Sequence, residues 1–398
     1  MILYLAILIA AILADVVCNN SIIQLFEIQS YFPPITLIIG MSLLQMVAAP
    51  IQAGFSDFYC RRKSLIIALV FSLFSLFLLA FSKSSGLLAS SFLLLSVILN
   101  AGLGNTIPIA WSALADVQQK NLRFSLGLTT TAYAIGYIAL ALFGATAQKE
   151  AGENAWVWQD IILPSILIAL SIGLIWKFYF DLRDIKSKLT SGKPQFLRLV
   201  FNEFKSLSQE IKCRSTLFGL GAYFCWACSQ YSTLLLLLES QKYEGTVIVM
   251  MIGYVAGIVL LWFYQKIADG KIIRVGFSIT IAAILLFFIG KPFVFNKALI
   301  FSASGFLYTM GNAFLSPSIL SLFSKEREFH EQGKGFGLIV SADSAGFLTG
   351  VLLVQFFTRF KVNEEKMIIF SSLIFLISWY PYLVYEKIRK NAARLDDV

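Results

Sequence analysis

The chain of 398 residues has one histidine, five cysteines and only 14% charged residues. A single histidine excludes the paired-His and His-Glu arrangements that hold catalytic zinc. No G-x-x-x-x-G-K-S/T loop is present, and SGKP and QGKGFG miss its spacing, so an ATP-driven machine or an ATP-using enzyme is excluded. The cysteines, at 18, 60, 213, 225 and 228, make neither a disulfide framework nor a metal site. Cys225 and Cys228 have C-x-x-C spacing but lie in an apolar run without a second Cys or His pair, and they are read as small packing residues. His330 falls in a charged loop and is read as solvated. No metal and no cofactor is expected.

Apolar residues make up 58% of the chain, with 36 Phe, a usage foreign to soluble domains. Runs of about 20 apolar residues, the length that crosses the hydrocarbon, recur along the sequence. They predict an all-α, multi-pass membrane protein with twelve spans, near 2–27, 35–55, 64–82, 87–115, 123–147, 158–180, 215–239, 245–265, 275–290, 298–323, 335–358 and 367–386. The first lacks a basic n-region and a small-residue cleavage site, so it is read as a span rather than a secretory signal. About three quarters of the 32 Lys and Arg fall in loops on one side, which puts both termini in the cytoplasm and the protein in the cytoplasmic (inner) membrane. Anionic lipid at those loops accounts for the +9 net charge, and no nucleic-acid partner is implied.

One long polar interruption, 181–214, divides the chain into an N-terminal six-helix bundle (1–180) and a C-terminal one (215–398). Within it Phe196, Val200, Phe204, Leu207 and Ile211 form one apolar face, as in a helix lying on the inner leaflet or binding a partner. The halves repeat: an offset of 212 takes Glu27 to Glu239, Asp57 to Asp269, Arg62 to Arg274, Asn100 to Asn312 and Asp116 to Glu328. Parallel six-helix repeats with a midplane site are a secondary-transporter architecture.

The segment AGFSDFYCRRKS, Ala53 to Ser64, resembles the loop signature between the second and third spans of the major facilitator superfamily, G-x-x-x-D-R-x-G-R-R-K/R. Asp57, Arg61, Arg62 and Lys63 match it, while Ala53, Phe58 and Cys60 depart from it. QKIADGKIIR, with Asp269 and Arg274, is the weaker second-half counterpart. HEQGKGFG, His330 to Gly337, and Asp15 in DVVCNNSI are similar to stretches of the drug:proton antiporter branch, the bicyclomycin and tetracycline exporters. The resemblance implies a major facilitator fold and a monomeric secondary transporter moving a small amphipathic solute, with proton-coupled export as the leading expectation and proton-coupled uptake of a nutrient, siderophore or osmolyte as the alternative. A non-transporting membrane sensor is a third reading. The helix 4 Arg of many proton antiporters and the helix 5 G-P pair of exporters are both missing. The resemblance also makes Asp57, Arg61, Arg62 and Asp116, with Asp116 the carboxylate facing the two arginines, a conformational latch, and Asp269 and Arg274 belong to it in the second half. The same Arg and Lys would equally serve to anchor orientation.

Polar residues inside the spans give the candidate site. An ionised side chain at mid-bilayer costs about 2.5 to 3.5 kcal/mol on insertion scales, so such residues face a cavity or a partner. In ILADVVCNNSIIQLFE, Ile12 to Glu27, Asp15 lies roughly 20 Å along the helix from Met1, and Asn19 is one turn on. Glu27 is read as an outer gate or a solvated helix end. Asp343 lies about 12 Å from the inner end of the eleventh span. No Lys or Arg accompanies either acid at depth, and burial without a cation favours the neutral form, so Asp15 and Asp343 are the candidate proton-coupling residues. Buried acids that merely fix packing are the competing reading. Asn19, Asn100, Asn105, Trp226, Gln230, Tyr308 and Asn312 are candidate substrate-binding residues, since the resemblance makes spans one, four, seven and ten line the cavity, and Tyr133 joins them from the fifth span, where Thr129, Tyr133 and Tyr137 recur at steps of four.

Overall fold

The computed structural model describes residues 2–29, 34–81, 87–118, 121–133, 161–179, 214–239, 244–290, 297–327, 331–362 and 364–396. The apolar face proposed within 181–214, Tyr137, His330, Glu328, Cys213 and the side chains of Glu27 and Glu239 lie outside them. All regular structure among the described residues is helical. In hydrocarbon every backbone N–H and C=O must pair within its own segment, and an apolar helix does this unaided.

The helices are α1 (Ile2–Gln29), α2 (Pro34–Phe58), α3 (Arg61–Phe81), α4 (Leu87–Leu103), α5 (Ile107–Val117), α6 (122–133), α7 (Leu163–Phe178), α8 (Arg214–Glu239), α9 (Glu244–Phe263), α10 (Asp269–Gly290), α11 (Lys297–Lys325), α12 (Gln332–Arg359) and α13 (Glu364–Asp396). Among the described residues seven stretches are long and apolar enough to cross a membrane, and α4 with α5 counts as one of them. The twelve-span, all-α architecture stands, with one correction. The fourth span is not a continuous helix over 87–115 but breaks at Gly104–Thr106. Pro108 sits in the first turn of α5, where its missing N–H costs nothing, and Thr106 takes the N-cap position. The last span runs on past 386 to Asp396, its charged end extending beyond the apolar stretch.

Burial is inverted relative to a water-soluble helix. On α3 the exposed residues beyond Lys63 are Ile67, Val70, Phe74, Phe77 and Phe81, a continuous apolar stripe, while Ser72 and Ser75 are buried. A stripe of that kind on helix after helix needs a lipid solvent.

Two compact units result: Met1–Lys120, Ala132–Phe204 and Arg327–Ser341 form the first; Asn121–Thr131, Lys205–Glu326 and Ala342–Val398 the second. In the first unit α3 packs on α4, α2 on α4 and α1 on α7. In the second α10 packs on α11, α9 on α11 and α8 on α13. Counted by span, these are the same three pairs shifted by six, so the repeat seen in the polar residues is also a repeat of helix packing.

Candidate solute and proton site

In the first unit the polar residues of α1 close on the α4–α5 break. Asp15 is 1% exposed. Its Oδ2 accepts from the Thr106 amide at 2.9 Å and from Thr106 Oγ1 at 2.8 Å. Asn19 Nδ2 donates to Asp15 Oδ1 at 3.2 Å and to its carbonyl at 3.1 Å, the contact that i, i+4 spacing allows. Asn19 Oδ1 in turn accepts from Asn100 Nδ2 at 2.5 Å, and Cys18 Sγ donates to Asn100 Oδ1 at 3.5 Å. Asn105 Oδ1 accepts from the Ile107 amide at 3.2 Å, so it secures the start of α5. A buried carboxylate and two amides therefore form one network, with neutral hydrogen-bond donors in place of a cation. Thr106 is the member the sequence reading overlooked, although Thr-Ile-Pro is a helix-start signal.

In the second unit Trp226 Nε1 donates to Asn312 Oδ1 at 2.8 Å. Asn312 is the repeat counterpart of Asn100, and each joins the fourth or tenth span to the first or seventh. Asp343 Oδ2 accepts from Tyr231 Oη at 3.0 Å, and the Tyr231 ring meets Phe347 edge-on at 4.8 Å. The Tyr223 and Trp226 rings meet at a tilt of 60° with centroids 4.9 Å apart. Gln230 is half-buried on α8, and Tyr133 half-buried at the end of α6. Tyr308 is buried, with its hydroxyl 3.4 Å from Ser229 Oγ, and it also lines a cavity with residues of α10 and α13.

The charged clusters lie at the helix ends. Arg61, 1% exposed, bonds Asp57 Oδ1 at 2.5 Å and, through Nε, Asp116 Oδ2 at 3.0 Å. Asp57 also accepts from the amides of Gly333 and Lys334, both at 2.9 Å, so one carboxylate holds an arginine and the first turn of α12. Anions are favoured at a helix N-terminus, where free amides and the dipole act together. Arg62 turns elsewhere, its guanidinium 5.3 Å from the Trp176 ring centre and donating to the Trp176 carbonyl. In the second unit Asp269 binds Arg123 at 2.7 Å and Lys325 at 2.6 Å. Arg123 also donates to the Ile267 and Tyr264 carbonyls, at 2.9 and 2.6 Å. Arg274 pairs with Glu386 at 2.7 Å. The two repeat-related acids, Asp57 and Asp269, thus each gather a helix start: α12 by its amides, α6 by Arg123. Arg123 carried no signal in the sequence beyond its place in a cytoplasmic loop.

The family model of the Major Facilitator Superfamily matches residues 4–351. A tetracycline resistance protein, class H, from Pasteurella multocida is 25% identical over 334 residues, covering 80% of this chain and 78% of that one. Among solved structures, the human organic anion transporter MFSD10 (TETRAN) aligns with a TM-score of 0.71 at 13% identity, over 95% of this chain and 98% of that one. The fucose:proton symporter FucP of E. coli aligns at 0.67 and 18% identity, over 95% and 98%. The proton:xylose symporter XylE aligns at 0.67 and 13%, over 96% and 94%. Likeness at such identities establishes the fold.

Proposed function

The chain belongs to the Major Facilitator Superfamily, a family of transporters rather than of enzymes, and from that premise we propose that it couples proton movement to uptake of a small uncharged or cationic amphipathic solute. The observation that carries the reading is the Asp15–Asn19–Asn100 network, a buried acid bonded to amides and a hydroxyl and provided with no cation among the described residues. Burial favours the protonated form of an acid so placed, and taking up that proton leaves no buried cation unpaired, while the amides beside it offer hydrogen bonds to a polar solute. A dianionic or phosphorylated solute would call for a buried guanidinium or ammonium. Asp343, held by Tyr231, is the second proposed proton carrier, and Trp226 and Asn312 the proposed solute contacts in the second unit.

Uptake is favoured by the two neighbours described as proton symporters, FucP and XylE. Export is the second reading, and the tetracycline resistance relative supports it. The test uses proteoliposomes with a pH-sensitive dye inside. Solutes that acidify the lumen on entering the vesicles, with Asp15→Asn abolishing the proton signal while binding persists, match the proposal. A proton signal unchanged in Asp15→Asn rules out this coupling role. Accumulation only in inside-out vesicles selects export.

A further inference from the structure

The end of α9, the turn after it and the first turn of α10 expose Trp262, Phe263, Tyr264, Lys266 and Lys271. The Trp262 and Phe263 rings meet edge-on at 5.0 Å. The chain from 244 to 290 is described without a gap, and the one acid at this end of it, Asp269, is buried and held by Arg123 and Lys325. Lys266 and Lys271 have no ion-pair partner among the described residues. Arg123 also bonds the Tyr264 and Ile267 carbonyls, so the turn that presents this surface is held in one shape.

The fold itself does not demand these residues. The repeat offset pairs Asp269 with Asp57 and Arg274 with Arg62, but it sets Pro50, Ile51 and Gln52 against the three aromatic residues, and Gly54 and Tyr59 against the two lysines. The first-half turn joins its helices without that triplet or those lysines. Orientation in the membrane calls for Lys and Arg at this end, not for rings. A Trp or Tyr ring at the end of a span sits at headgroup depth, and a lysine stem lies along apolar surface with its ammonium among the phosphates.

We propose that the α9–α10 turn is a docking surface for the headgroup of an anionic phospholipid, of the phosphatidylglycerol type. Lys266 and Lys271 take the phosphate, and Trp262 and Phe263 lie against the glycerol and the start of the acyl chains. Charge complementarity selects the anionic lipid over a zwitterionic one, whose own ammonium the two lysines repel. The exposed rings select a lipid over a soluble polyanion.

The test is lipid titration of the purified, delipidated full chain in detergent, read by native mass spectrometry. Phosphatidylglycerol should bind saturably and at least about ten-fold more tightly than phosphatidylcholine. Lys266→Gln with Lys271→Gln should weaken phosphatidylglycerol binding about thirty-fold, since each Lys near an anionic surface contributes about 1 kcal/mol, and leave phosphatidylcholine binding as it was. Lys266→Arg with Lys271→Arg keeps the charge and should keep the binding. Trp262→Ser with Phe263→Ser should weaken both lipids alike. Lys63→Gln with Lys177→Gln removes the same charge from the first unit and should leave phosphatidylglycerol binding unchanged. An equal loss from that last pair would overturn the proposal, because binding would then follow net charge alone. So would equal affinity for the two lipids, or displacement of phosphatidylglycerol by inorganic polyphosphate at the same phosphate concentration.

Discussion

The Gly333 amide donates to Asp57 Oδ1 at 2.9 Å, and at Gly333 a Cβ would meet the Ala53 carbonyl, Arg61 and Asp57 itself. The α12 start reaches its acid only because the residue there has no side chain. Gly333→Ala is therefore expected to free the α2–α3 turn from α12. Cys60, 8% exposed in that turn, reports it directly. In a Cys213→Ser background, its reaction with a membrane-impermeant maleimide should speed up at least about ten-fold, an equilibrium shift of about 1.4 kcal/mol. Equal rates in parent and variant would refute the arrangement.

The two cations on Asp269 should differ sharply in worth. The Arg123 side chain is 6% exposed and the Lys325 side chain 53%. Without Arg123, buried Asp269 keeps only an exposed partner and two carbonyls lose their donor, a loss well above the contribution of an exposed partner, which is under about 1 kcal/mol. Thermal unfolding in detergent should show a large loss for Arg123→Ala and almost none for Lys325→Ala. Similar losses for both would contradict the burial argument.

Asn19 and Asn100 share one hydrogen bond across α1 and α4. A double-mutant cycle on Asn19→Ala and Asn100→Ala, read in solute affinity and in unfolding temperature, should give a coupling of about 0.5 to 3 kcal/mol. Additive effects would mean that the two amides act separately.

At Gly257 on α9 a Cβ would lie 2.6 Å from the Ala313 Cβ and 2.9 Å from the Met310 carbonyl on α11, whereas at Gly173 on α7 nothing lies within 4 Å. Gly257→Ala must push two helices apart and should cost about 1 to 3 kcal/mol, while Gly173→Ala should be neutral or slightly stabilising. A stable, fully active Gly257→Ala protein would show that α9 and α11 tolerate separation.

The helices and the buried acid of α1 were legible because each is local information: a run of apolar residues, and an Asp four positions before an Asn. Thr106 was not, since it became Asp15's partner only when the fourth span broke, and an apolar run hides a break. Arg123 and the Gly333 and Lys334 amides escaped for a different reason. Their acids lie more than a hundred residues away, and a backbone amide has no side-chain identity to read. Arg274 had the repeat in its favour, yet it pairs with Glu386, which the offset does not predict.

The start of α5 has no cap from its own Thr106 side chain, and that residue's amide and hydroxyl both lean on α1. Mutagenesis at Asp15 consequently carries two messages. Asparagine keeps an oxygen for Thr106 while it removes the titratable group and the acceptor for Asn19 Nδ2. Alanine also strands an amide and a hydroxyl inside the bilayer, so a dead Asp15→Ala protein is as much the report of a broken helix entrance as of a missing proton carrier.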